Sequence, residues 1–148
     1  MRALDKEFND WTLYNYKTND KKMEKKKIIF WITTGFLFLF EGLMPLSTLL
    51  FAQEYMTAGT KPLGYPEYFA YALVICKVLG ATALIVPKLP DKIREWAYAG
   101  LTFNLIFATI SHIAVDGILI VSFFPLTILA VLVVSYSYNS KLKSNGTF

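Results

Sequence analysis

Residues 28–51 read IIFWITTGFLFLFEGLMPLSTLLF, a run of 24 residues in which Glu41 is the one charge. A helix rises about 1.5 Å per residue and a hydrocarbon core is about 30 Å thick, so about 20 apolar residues cross a bilayer. The stretch is therefore read as a membrane span. It far exceeds the roughly 7–15 apolar residues of a secretory signal, a charged segment precedes it, and Leu50 spoils the small-residue pattern a cleavage site needs. A retained span is the expectation.

Working outward, three more segments have the same character: Tyr68–Val86, Trp96–Val115 and Ile118–Tyr138. The whole chain of 148 residues is 55% apolar and 18% charged, against about 45–50% and about 25% in soluble domains. Only Asp116 and Gly117 separate the last two segments, so those spans are expected to form an antiparallel hairpin. The expected organisation is a basic segment over residues 1–27, a membrane domain over 28–138 and a tail over 139–148. The fold class is all-α, a four-helix transmembrane bundle. Pro45 and Pro125 are expected to kink spans one and four.

Lys and Arg are distributed unevenly about these spans. Eight precede span one, three (Lys88, Lys92, Arg94) lie between spans two and three, and two (Lys141, Lys143) follow span four, while the other two connections hold only Lys61. Thirteen against one predicts that both termini of this multi-pass membrane protein are cytoplasmic, with the loop Ala52–Glu67 outside. That loop is long enough for a short surface helix. Trp31, Tyr68, Trp96, Tyr136 and Tyr138 fall near span ends, where amphipathic rings favour the interface. The net charge of +4 is thereby assigned to topology and to the lipid surface, not to nucleic acid, for which no motif is present.

Two residues are out of place in hydrocarbon, where a charge at mid-span costs about 2.5–3.5 kcal/mol on insertion scales. Glu41 lies ten residues from the outer end of span one and Lys77 nine from the outer end of span two. Both are therefore about 14–15 Å deep. Antiparallel spans packed side by side would bring them together as a buried ion pair or a shared proton. Helical spacing groups Thr34, Glu41 and Thr48, with Gly42 alongside, and sets Ala70, Gly80 and Ala81 around Lys77. Small residues permit close packing in lipid. On span three a polar and small stripe runs Ala97, Gly100, Asn104, Ala108, Ser111, His112 and Asp116. Asn104 reaches the depth of the pair, and Asp116, one turn from His112, would hold the imidazole in one tautomer.

The candidate ligand-binding or proton-relay set is thus Glu41, Lys77, Asn104 and His112, with Asp116, Ser111 and Thr48 secondary. Structural roles compete for each: register for the ion pair, helix adhesion for Asn104, a cross-hairpin hydrogen bond for His112 and the tight turn for Asp116. Cys76 points to a different face from Lys77 and is expected to be a packing residue. As the one cysteine it excludes an internal disulfide and dithiol chemistry. A single histidine excludes bis-His haem ligation within a monomer, and no metal-ligand cluster or phosphate-binding motif is present. No catalytic residue is assigned, and whether the protein is an enzyme stays open. What remains is an amine, an acid, an amide and an imidazole that could bind the polar head of a lipophilic molecule or relay protons. Alternating-access transport ranks last, because broken inverted repeats are not evident.

Leu63-Gly64-Tyr65-Pro66, Tyr68, Lys77-Val78-Leu79-Gly80-Ala81, Pro87-Lys88-Leu89-Pro90, Glu95-Trp96-Ala97-Tyr98-Ala99-Gly100 and Ser111-His112 together resemble the DoxX-like family of small four-span membrane proteins. The resemblance covers about residues 28 to 136. Glu41 stands where the family tends to carry an acid in its first span, whereas Asp116-Gly117 inverts the Gly-Asp often seen after the histidine. The resemblance implies a four-helix bundle in the cytoplasmic membrane. Related proteins are associated with quinone-linked sulfur oxidation and redox-stress membrane complexes, and distant eukaryotic relatives with assembly of channels. The expectation is a quinone or similar small lipophile held in an intramembrane polar pocket, within a redox-linked complex. The alternative is a non-catalytic accessory or assembly subunit, whose partner would be another membrane protein or a second copy of the chain.

Overall fold

The computed structural model describes residues 2–144, with side chains from Trp11 onward. All the regular structure among them is helical: α1 (Arg2–Leu37), a π-helical turn (Phe38–Leu43), α2 (Met44–Phe51), α3 (Glu67–Ile85), α4 (Asp91–Asp116) and α5 (Phe124–Ser144), with short 3-10 turns at Gln53–Tyr55 and Ile120–Phe123. Four of these stretches are long and apolar enough to cross a membrane, α1 counting together with the π turn and α2. The last residues of the expected tail, 145–148, lie outside the described residues.

Proline and glycine set the boundaries. From Arg2 to Thr34 the chain has neither, and α1 runs unbroken through the basic segment into the first span. Pro45 has no N–H to return to the carbonyl of Glu41. Instead of a simple kink, the helix widens into the π turn, in which the Met44 N–H bonds the Leu39 carbonyl five residues back. Pro66 and Pro90 stand immediately before α3 and α4, and Val86, restricted by Pro87, ends α3 in extended conformation. Gly117 ends α4 at φ +81°, a conformation suited to glycine.

Two expectations are corrected here. The hairpin between spans three and four is not a two-residue turn: residues 117–119 and the 3-10 turn Ile120–Phe123 intervene before α5. Pro125 therefore occupies the first turn of α5, where a missing N–H costs nothing, and makes no mid-span kink.

α1 packs on α5, α5 on α4, α4 on α3, and α3 on the π turn and α2, which closes the bundle. Its centre is the cluster Leu37, Leu84, Tyr98, Leu101, Leu105, Ile128 and Leu132. On α4 the central face is Arg94, Tyr98, Leu101, Leu105 and Thr109, so the small and polar stripe flanks the core instead of forming it. Gly100 is exposed with open space around it. Cys76 is exposed too, facing outward and not packed between helices.

Gly42 and Gly80 are the close approaches. A Cβ on Gly42 would come within 3.1 Å of Ala81 Cβ and 3.3 Å of the Phe38 ring, and one on Gly80 within 3.3 Å of Leu101. Gly42→Ala is accordingly expected to destabilise the bundle by about 1–3 kcal/mol through overpacking. Gly100→Ala is expected to change little. Unfolding of both variants in one detergent checks the contrast.

Candidate functional site

The antiparallel run of α1 and α3 brings the two stranded charges to one level. Lys77 Nζ stands 3.0 Å from Glu41 Oε2. The environment is unequal, since Glu41 is 2% exposed and Lys77 23%. No hydrogen-bond donor is well aligned on Glu41 Oε2, which leaves the ammonium as its compensation. The π turn carries Glu41 inward, and Gly42 beside it lets α3 come close enough for the lysine to reach. π-helical turns inside α-helices are frequent at functional sites.

The pair forms part of the wall of a cavity of about 350 Å³, toward the small end of the roughly 300–1,000 Å³ typical of small-molecule sites. Asn104, Ser111, His112 and Thr48 line the same space. Asn104 Nδ2 is shut away from solvent and has no hydrogen-bond partner, an omission that costs about 1–3 kcal/mol when nothing fills it. His112 Nδ1 lies 2.7 Å from Asp116 Oδ2. With Nδ1 donating to that carboxylate, Nε2 of the neutral ring is an acceptor. Asp116 itself stands behind the histidine, outside the cavity wall. Most of the remaining wall is apolar: Phe40, Phe69, Leu73, Phe107 and Phe124 among others.

Its two ends differ. Toward the chain termini the cavity meets Leu105 and Ile128, beyond which Leu37, Leu84, Leu101 and Leu132 close the bundle. Toward the other end the wall is built by the 52–66 loop through Tyr55, Met56, Thr60, Leu63 and Tyr65. This loop folds as a 3-10 turn and successive tight turns, with Gly64 at φ +82°, and it buries Met56. The Tyr65 hydroxyl meets Ser111 Oγ at 2.7 Å, tying the loop to α4. The Tyr65 ring stacks on Phe69 at 4.5 Å.

A sequence profile of the DoxX-like family matches residues 29–135, which reaches into all four spans and takes in every residue of the cavity wall. The chain belongs to the DoxX-like family. No curated protein and no solved structure gives a significant match. As a DoxX-like protein it is a multi-pass membrane protein whose surroundings are a lipid bilayer.

Three polar features of this DoxX-like chain are not evident from helical spacing alone. Tyr65 carries a sequence signal, since it sits in the Leu63–Pro66 stretch that bears the resemblance, but its partner Ser111 is 46 residues away. Ser135 Oγ bonds both Thr34 Oγ1 and Tyr98 Oη at 2.8 Å, joining α1, α4 and α5. Arg94, one of the cations counted between spans two and three, is buried: it donates to the Val86 carbonyl at 3.0 Å and to Asn139 Oδ1 at 3.3 Å. A charge count assigns a cation to one side of the membrane and leaves its depth open.

Proposed function

We propose that this DoxX-like protein holds the head group of a small lipophilic molecule, with a quinone as the favoured chemistry, in the cavity walled by the π turn, α2, α3, α4 and the start of α5. The observation that carries this reading is the buried, unpartnered Asn104 Nδ2 in a largely apolar space shared with the Lys77–Glu41 pair. Such a space suits a ligand that is greasy over most of its surface and has oxygen acceptors at one end. A quinone, when bound, accepts two electrons and two protons and so links lipid to a redox partner.

Each residue then has a task. Asn104 donates to one carbonyl oxygen and orients the ring, Lys77 donates to an oxygen or balances an anion, and Glu41 keeps the ammonium in position. His112, held by Asp116, exchanges protons toward the loop end, because the leucine cluster blocks the other end. The positive-inside count supports cytoplasmic termini in the inner membrane and an outer loop. Electrons come from a partner in a redox-linked membrane complex.

The test is binding of a short-tailed ubiquinone or menaquinone to purified protein in detergent. Bound ligand raises the unfolding midpoint in a saturable way, and solvent extraction of the untreated protein yields quinone. Asn104→Leu is expected to weaken the affinity about tenfold, the size of one hydrogen bond to a buried acceptor. Absence of both extractable quinone and any midpoint shift at saturating concentration overturns the reading.

A second reading, an accessory or assembly subunit, is favoured by one observation. α1 continues far beyond the span on the terminal side and leaves Trp11, Leu13, Tyr14 and Tyr16 exposed there, a surface suited to another protein. This reading predicts co-purification with a larger partner and an unchanged partner yield in Glu41→Leu/Lys77→Met. Loss of partner yield in that variant, with the bundle folded, counts against it.

A further inference from the structure

A second hollow, about 290 Å³, lies between the terminal-side halves of α4 and α5. Glu95, Ala99 and Thr102 form one bank and Leu132, Val133 and Tyr136 the other. It exists because Ala99 and Thr102 are short where α4 faces α5. Tyr136 stands edge-on to Tyr98, with ring centroids 5.1 Å apart and planes at 73°, and this forms a firm wall. Glu95, Ala99, Val133 and Tyr136 are exposed on the outside of the bundle, and apart from its mouth the hollow is set in the apolar parts of two spans. It therefore faces acyl chains.

The mouth is charged. Glu95 adjoins Trp96, an interfacial ring, and no cation among the described residues lies within ion-pair distance of it. From Glu95 to Thr102 the groove extends about 10 Å along the helix. A slot of this kind, apolar along its length with one unpaired carboxylate at the interface, complements a chain-bearing molecule with a cationic head. A primary ammonium also donates hydrogen bonds to the carboxylate, which a quaternary one does not. The exposed Lys92 stands one turn nearer the terminal end on neighbouring helix surface, where a phosphate of the same head group would find a cation. An anionic lipid such as phosphatidylglycerol brings the same phosphate to Lys92 but no ammonium to Glu95, and so leaves that carboxylate without a counter-charge.

We infer that the α4–α5 groove is a lipid site that seats one acyl chain of an aminophospholipid, with the lipid ammonium paired to Glu95. The site is separate from the ligand cavity and does not depend on the quinone reading.

Native mass spectrometry of the full chain in detergent tests this with phosphatidylethanolamine and phosphatidylglycerol of matched acyl chains. The wild type is expected to retain phosphatidylethanolamine over phosphatidylglycerol by about fivefold or more, and Glu95→Gln to abolish that preference. Glu95 is exposed, so this variant leaves the fold intact. Thr102→Phe, which fills the groove, is expected to reduce phosphatidylethanolamine retention while the midpoint shift on adding quinone equals that of the wild type. Equal retention of both lipids by the wild type, or an undiminished preference in Glu95→Gln, overturns the proposal. So does a dimer whose second copy covers the groove.

Discussion

Lys77→Met is expected to lower the stability of the bundle by about 3–5 kcal/mol, the usual cost of removing one partner of a buried ion pair. Glu41 cannot relocate: it is almost fully buried, on a helix held against α3 by the Gly42–Ala81 contact. Without the ammonium at 3.0 Å its charge has no compensation. The reverse change, Glu41→Leu, is expected to cost less, because Lys77 is partly exposed and its long stem can carry the head group elsewhere. Glu41→Leu/Lys77→Met is expected to recover most of the loss, since well-packed apolar replacements of buried pairs are often neutral. Equilibrium unfolding of the three variants in one detergent reads the result. A double variant as unstable as Lys77→Met would show that the lysine stabilises by packing and not by charge. The proposed ligand role makes a separate demand: the double variant should be folded and yet fail to gain stability from added quinone.

Ser135→Ala is the second large effect. Ser135 Oγ is the shared partner of Thr34 and Tyr98, and all three side chains are buried. Removing it takes the shared partner from two buried hydroxyls, which can then turn only to each other, at about 1–3 kcal/mol in all, while losing little apolar contact. If the hydrogen bonds are the cause, the triple change Thr34→Val/Ser135→Ala/Tyr98→Phe should be milder than the single one, because no unsatisfied group remains. Its unfolding free energy, set beside that of Ser135→Ala, decides. A triple variant worse than the single one would mean that packing volume, and not hydrogen bonding, joins α1, α4 and α5.

How much of this is legible beforehand depends on the geometry each feature requires. The spans follow from length and apolarity, and the match in depth of Glu41 and Lys77 follows from counting residues inward, since rise along a helix is additive. Asn104, Ser111 and His112 share one wall for the same reason, since periodicity gives relative angle and height within a helix, whereas Thr48 joins them from α2 only through the packing of the bundle. The errors occur where several local preferences compete. Pro125 reads as a kink inside an apolar run, but it starts a helix, because the preceding residues leave the helix for a 3-10 turn. The small stripe of α4 reads as the packed face, yet Leu101 and Leu105 bury more apolar surface and take the centre.

From its residues alone the chain is bound to be four hydrophobic helices with an acid and an amine at one depth, because transfer energy and helical rise act locally and sum along the backbone. The rotation of each helix about its axis, the π turn that aims Glu41 inward, the Tyr65–Ser111 tie, the Ser135 bridge and the burial of Arg94 belong to tertiary structure. Each requires groups far apart in the chain to arrive at one point, and that meeting is settled by the packing of the whole bundle.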